Sequence, residues 1–190
     1  MVFFGDGAVQ AGQFTESINI ATLWKLPVLF VCENNGFAEF SPRSAHTNVE
    51  RVSDVVAPYE LPRETVDGNE VAQVWAQFGR MLAGVRAGEG PALLECLTHR
   101  LRGHYEGDPD KYREAVSKAD WQEKDPLLRL QRQGAADGWL GEAEPAELEA
   151  AARAEVDEAV VAARQSPFPG PEVAAAYVRP GVVRSGGTAA

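Results

Sequence analysis

Cysteine is scarce: Cys32 and Cys96 are the only two in 190 residues. Each lies inside an apolar run, which reads as a small buried residue of a reduced, intracellular protein and excludes a disulfide scaffold. Long hydrophobic runs are missing as well, since no apolar stretch approaches the roughly 20 residues needed to span a bilayer. No basic stretch leads into an apolar core at the N-terminus, so secretion is unsupported and a cytoplasmic location is the expectation. Positive charge is in deficit, with 18 Lys and Arg against 28 Asp and Glu and a formal net charge of -10. Such a chain repels phosphate backbones and anionic lipid, which argues against nucleic acid or membrane as partners. A small, locally positive anion pocket remains compatible with that balance.

What is present is ordinary for a folded domain: 45% hydrophobic and 24% charged residues. At this length a chain buries about 70% of the surface that its unfolded form exposes, enough for a real core. Val2-Phe3-Phe4 reads as the end of a buried strand running into the turn Gly5-Asp6-Gly7, and so abrupt a first strand suggests a missing N-terminal portion. From Gly12 to Trp24, Phe14, Ile18, Ala21 and Leu23 fall at helical spacing, and Leu26-Pro27 stops the helix. Val28 to Cys32 is continuously apolar, the pattern of a strand buried on both faces. Strand, turn, helix and strand make a βαβ unit with parallel pairing.

Residues 34–62 read as loop with short elements, and Val66-Asp67-Gly68-Asn69 leads into a second helix. Its buried stripe is expected at Val71, Val74, Trp75, Phe78, Leu82 and Val85, with Asn69 as cap and Gly88 as stop. Pro91 to Leu97 is a further apolar strand, so the class is α/β with a mostly parallel sheet and flanking helices. Beyond a polar loop over 103–111, helices are expected from Asp125 to Gln133 and from Ala146 to Gln165, the latter with Leu148, Ala152, Val156 and Val160 in register. Between Asp120 and Gln165 stand eleven acidic and five basic residues, the composition of a solvated helical surface.

Two turns carry the chemistry. Gly5-Asp6-Gly7 and Glu33-Asn34-Asn35 lie at the C-terminal tips of successive strands, and ligands of an open parallel sheet bind outside such tips. A carboxylate, an amide oxygen and a backbone carbonyl are hard oxygen ligands suited to Mg²⁺. The glycines let the backbone approach a diphosphate, toward which the following helix aims its N-terminus. Either turn alone is unremarkable as a turn. Their pairing is specific, with 26 residues between Gly7 and Asn34. A G-x-G-x-x-G dinucleotide reading fails because position 10 is Gln10.

This pairing resembles the thiamine diphosphate fingerprint. The stretch GDGAVQAGQFTESINIATLWKLPVLFVCENNGFA, followed by VDGNE, GPALLE and THRLRGHYEGDP, resembles the alpha subunit of the thiamine-dependent dehydrogenase component of 2-oxo acid dehydrogenase complexes. That group includes pyruvate, branched-chain and acetoin dehydrogenases. The likeness runs from about Phe3 to Pro180 and implies that the N-terminal part of the family's alpha subunit is absent.

The resemblance implies thiamine diphosphate and Mg²⁺ as cofactors. It matches Asp6, Asn35 and the backbone carbonyl of Phe37 to the Mg²⁺ ligands, and Gly5, Gly7 and Ala8 to the turn facing the diphosphate. It matches His104 to the active-site loop histidine that contacts the diphosphate end and helps acyl transfer. His99, Arg100, Arg102 and His104 are also the most basic short stretch of this acidic chain.

The implied activity is cleavage of a 2-oxo acid or acetoin, with acyl transfer to the lipoyl group of a partner acyltransferase. The implied assembly is a heterotetramer of two alpha and two beta subunits, in which beta supplies the glutamate that activates the aminopyrimidine. Tyr105 stands where the mammalian pyruvate enzyme has a phosphorylatable serine, so that switch is not expected here, and GHYEGD looks more like acetoin-type or other bacterial alpha chains. The implied fold is the thiamine diphosphate-binding fold, with a diphosphate- and Mg-binding α/β domain over 1–115, a helical C-terminal extension over 116–180 and a disordered tail over 181–190. Two rivals are a non-catalytic remnant that only folds or pairs with a beta-type chain, and a transketolase-like sugar transferase.

Overall fold

A computed structural model describes residues 1–113, 120 and 123–178; the tail expected over 181–190 lies outside the described residues. Four strands form one all-parallel sheet: β1 (Val2–Gly5), β2 (Leu29–Asn34), β5 (Arg63–Asp67) and β6 (Ala92–Leu97). The sheet order is β1-β2-β6-β5. Helix α1 (Gly12–Leu23) connects β1 to β2, whose register pairs Phe4 with Cys32 and Gly5 with Glu33. This is the βαβ unit that the apolar spacing predicts. A two-stranded hairpin, β3 (Phe37–Ala38) and β4 (Ser41–Pro42), follows β2, and a short helix α2 (Val52–Val55) precedes β5. Helix α3 (Val71–Arg86) returns the chain to β6.

The sheet is covered on both faces. Successive residues of a strand point to opposite sides, so Phe30 and Cys32 join Ile18, Val52 and Leu93 on one face. Leu29 and Val31 join Met81, Val85 and Leu94 on the other. Both cysteines are free and buried. Burial pushes both thiols up, Cys96 to about 11, which makes them unreactive fillers at neutral pH.

Several expectations are corrected. β1 is an edge strand and not a buried one: Val2 and Phe3 are exposed, and only Phe4 turns inward, its ring 5.3 Å from that of Phe14. β5 is a strand that apolar patterning does not announce, because the other edge of a sheet tolerates polar residues. On α1, Leu23 is exposed while Ile18 and Ala21 are buried. On α3 the expected stripe holds at Val74, Phe78, Leu82 and Val85, which pack on the sheet, but Trp75 is 80% exposed and Val71 is exposed, while Gln77 and Met81 join the buried face. Asn69 does not cap α3; the N-cap is Glu70, and the Asn69 amide oxygen accepts from the Thr98 hydroxyl at 3.0 Å. Gly88 does end the helix, with φ +83.

The chain divides into two compact units, Met1–Leu140 and Gly141–Ala190. Helix α4 (Pro126–Asp137) falls in the first and runs one turn past the expected Gln133. Asp125 caps it, its carboxylate accepting from Leu127 N–H at 2.8 Å. Arg129 ties the helix to the sheet edge through Asp67 at 2.9 Å and Glu70 at 3.2 Å. In the second unit α5 (Glu144–Gln165) has no buried residue and is followed by α6 (Pro171–Val178). Among the described residues no helix is long and apolar enough to cross a membrane.

Candidate functional site

Because the four strands are parallel, the segments that follow β1, β2 and β6 leave from one edge of the sheet. After β1 the chain makes a 3-10 turn, Asp6–Gln10, before α1 begins. Asp6 occupies the first position of that turn and is fully buried. Its Oδ1 accepts from the Asn35 N–H at 3.3 Å, which joins the two turns that lie 29 residues apart in sequence. Burial pushes the Asp6 carboxyl up from its ordinary value, opposed by the N–H of Asn35 and by the Arg43 charge. Oδ2 of Asp6 is out of solvent and accepts no hydrogen bond. A buried carboxylate oxygen left without a donor is costly, and a cation is the partner that suits it.

Asn35 closes a local turn, its Oδ1 accepting from Phe37 N–H at 3.1 Å. An amide oxygen has two lone pairs, so this bond leaves one free for a ligand. Asn34 does the same one residue earlier, accepting from Gly36 N–H at 3.1 Å. Gly36 takes φ +79, which glycine adopts without strain and lets the chain turn sharply into β3. The hairpin then lies against the first turn: a Cβ on Gly7 would sit 2.7 Å from Ala38 Cβ. Gly7→Ala must therefore push the Phe37–Ala38 strand outward. It is expected to cost about 1–3 kcal/mol, read by chemical denaturation; an unchanged midpoint would mean that the hairpin yields freely.

His104 belongs to the segment after β6, and the structure brings it to the same hairpin. Its ring lies edge-on to Phe40 with centroids 5.8 Å apart, and its Nε2 is 3.9 Å from Glu39 Oε1. Arg100 braces this arrangement, donating to the Glu39 carbonyl at 3.0 Å and to the Tyr112 hydroxyl at 2.6 Å, with His104 Nδ1 3.3 Å from its Nη1. Asp108 accepts from His104 N–H and from Tyr112 OH, both at 2.7 Å. The Tyr112 bond holds the Asp108 carboxyl below its ordinary value. Thus Asp6, Gly7, Asn35 and Phe37 form one connected set, and His104 reaches it through Glu39 and Phe40.

Two residues of this neighbourhood escape sequence reasoning. Glu95, on β6, is fully buried and accepts from Asn34 Nδ2 at 2.7 Å, Val52 N–H at 2.9 Å, Ser53 N–H at 3.0 Å and Thr65 Oγ1 at 3.1 Å. It thereby orients the residue next to Asn35. A lone carboxylate inside the apolar run from Pro91 to Leu97 is the signal that could have found it. Arg43, buried beside Asp6, gives no such signal, because a basic residue in a loop reads as solvated. Among the described residues no three His, Cys, Asp or Glu side chains gather as a metal site. A cation here would rest on a mixed set of carboxylate, amide and carbonyl oxygens, the donors that hard divalent ions take.

Known proteins resemble the chain over most of its length. The family model described as "Dehydrogenase E1 component" matches residues 1–172. The chain is 39% identical over 173 residues to the alpha subunit of acetoin:2,6-dichlorophenolindophenol oxidoreductase of Cupriavidus necator, covering 90% of this chain and 52% of that protein. It is 40% identical over 174 residues to the alpha subunit of the pyruvate dehydrogenase E1 component of Zymomonas mobilis, covering 90% of this chain and 48% of that one. With the alpha subunit of 2-oxoisovalerate dehydrogenase of Bacillus subtilis the identity is 35% over 178 residues, 93% of this chain and 54% of the other. The chain spans about half the length of the curated relatives it matches.

Proposed function

Because the chain belongs to the dehydrogenase E1 component family, we propose that it is the diphosphate-binding portion of an alpha subunit that works with thiamine diphosphate and Mg²⁺. The reaction proposed is cleavage of a 2-oxo acid or acetoin, with the acyl unit passed to the lipoyl group of a partner acyltransferase. The assembly proposed is a heterotetramer with a beta subunit. Relatives named for acetoin, pyruvate and 2-oxoisovalerate match at 35–40% identity, so the proposal stays at this substrate class.

The observation that carries the reading is the buried, donorless Oδ2 of Asp6 beside the Asn35 turn. Asp6, Asn35 and the Phe37 carbonyl would hold the Mg²⁺, and the backbone of Gly5, Gly7 and Ala8 would face the diphosphate. The close packing of Gly7 on Ala38 fits this role, since a side chain there would displace the hairpin that bears Phe37. When bound, thiamine diphosphate supplies a thiazolium carbanion and an electron sink for bond cleavage beside a carbonyl. The protein's own contribution is to fix the diphosphate end and to present His104 there on a segment that Arg100, Asp108 and Tyr112 brace.

The test is a calorimetric titration of thiamine diphosphate and Mg²⁺ into the full chain, alone and with a beta-type subunit. Saturable binding that a chelator abolishes is the expected result with the beta-type subunit present. An absence of chelator-sensitive binding in both arms would overturn the proposal in favour of a non-catalytic remnant.

A further inference from the structure

Arg43 opens a single 3-10 turn (Arg43–Ala45) just after β4. It is 9% exposed, unusual for a guanidinium without a full set of partners. Its backbone N–H donates to the Gly36 carbonyl at 2.8 Å, and its Nη2 donates to the Val49 carbonyl at 3.3 Å. These contacts fix where the side chain stands. Nη1 then faces Asp6 Oδ2 at 3.9 Å. That is about 1 Å longer than a charge-assisted N–H···O hydrogen bond.

Three atoms at this meeting point are out of solvent and lack hydrogen-bond partners: Nε and Nη1 of Arg43 and Oδ2 of Asp6. Opposite charges in such surroundings attract strongly, yet the pair stops short of a direct bond. Asp6 Oδ2 is also the atom proposed above to receive a divalent ion. A cation placed there and the guanidinium would therefore compete for one carboxylate oxygen.

We propose that Arg43 is the resident counter-charge of Asp6, a positioning residue that neutralises the carboxylate while no metal is bound and that must share it with the divalent ion when one enters. The inference rests on the proposed cation site and adds what sets that site's affinity. Arg43 lowers the affinity for a bare cation. Once a diphosphate accompanies the ion, the anion's oxygens can accept from the unpartnered Arg43 donors, and the penalty fades. The guanidinium thereby biases the site against free divalent ions and toward the metal–diphosphate pair.

The experiment uses the full chain and Mn²⁺ as the probe, read by electron paramagnetic resonance of the free ion, without cofactor and then with pyrophosphate. Arg43→Met is expected to bind Mn²⁺ alone about tenfold more tightly than the unsubstituted chain, the order expected for removing one nearby like charge at a partly screened site. Arg43→Lys keeps the charge and loses the Val49 bond, and is expected to stay within about twofold. With pyrophosphate present the advantage of Arg43→Met should disappear. Circular dichroism melting checks each fold, and Arg43→Gln replaces the Met variant if that one does not fold.

Equal or weaker Mn²⁺ binding by a folded neutral variant overturns the role of Arg43 while leaving the cation site standing. A chain that takes up no Mn²⁺ in any form, alone or with a beta-type subunit, removes the site and, with it, this inference. General loosening of the loop would weaken binding in the Met and Lys variants alike, opposite in sign to the expected gain.

Discussion

Asp6→Asn is expected to lose more Mg²⁺-dependent affinity for thiamine diphosphate than the roughly 10–100-fold that removal of an outer-shell partner costs at metal sites. The substitution keeps the volume and an oxygen able to accept from Asn35 N–H, so the fold has no reason to fail. It removes the only charge that the proposed ligand set carries, since Asn35 and the Phe37 carbonyl are neutral. The same substitution should stabilise the metal-free chain at neutral pH. Burial raises the Asp6 carboxyl above its ordinary 3.8 in the folded state, so the folded protein holds that proton more tightly than the unfolded chain. A group shifted this way costs stability above its folded pKa, and the cost disappears as pH falls through that value toward 3.8 and below. Asn is neutral at every pH and carries no such cost. The melting temperature of the metal-free Asn variant should therefore exceed that of the unsubstituted chain at pH 7, with the gap closing in acid. Normal Mg²⁺-dependent cofactor affinity in the Asn variant would sink the assignment of Asp6. A variant with weak binding but no stability gain would leave the ligand role intact and show that the buried charge is better compensated than its missing donors suggest.

The opposed behaviour of these two quantities is a familiar mark of a binding site, in which a group useful to a ligand is a burden without it. It also explains why the sheet edge was legible in the sequence. Gly5-Asp6-Gly7 and Glu33-Asn34-Asn35 are polar turns at the ends of apolar strands, and apolar patterning finds such boundaries well. Their hydrogen bond at 3.3 Å follows from the parallel register that pairs Gly5 with Glu33. What escaped was less local. Among the described residues β5 pairs only with β6, and its Arg63, Glu64 and Asp67 are exposed, so no apolar run marks it. On α3 the apolar residues Val74, Phe78, Met81, Leu82 and Val85 meet the sheet, and that face leaves Trp75 outside and carries Gln77 in, which apolarity alone does not announce. Arg43 and Glu95 depend on contacts across 37 and 61 residues, to Asp6 and Asn34 respectively, and spacing along the chain carries no trace of either. The proposed cofactor rests on the resemblance of the chain to its family, since the residues alone suggest only a magnesium-borne anion.

Glu95→Gln is expected to be the most destabilising conservative change in the first unit. Four donors converge on the Glu95 carboxylate, two on each oxygen. A carboxylate only accepts, whereas the glutamine amide must set its NH₂ against two of those donors. Bonds to a charged acceptor, and buried groups left unpaired, are each worth about 1–3 kcal/mol, so the loss should be roughly 2–5 kcal/mol, a large share of the 5–15 kcal/mol that holds a typical domain. The pH dependence has the opposite sign to that of Asp6. Burial alone would raise the Glu95 carboxyl, but the N–H groups of Ser53 and Val52 and the Asn34 amide overcome it and hold the group below its ordinary 4.5. A depressed folded pKa contributes stability that is complete above about the unfolded value and is lost as pH falls through the folded one. Chemical denaturation of the unsubstituted chain and of Glu95→Gln should therefore differ most at pH 7 and converge below 4.5. Because Asn34 takes its orientation from Glu95 Oε1, the Gln variant should also bind Mg²⁺ and diphosphate more weakly without touching either. Equal unfolding free energies at pH 7 would show that the four bonds are replaced on substitution. A stability loss with unchanged cofactor affinity would instead separate the keystone of the sheet from the turn that carries Asn35.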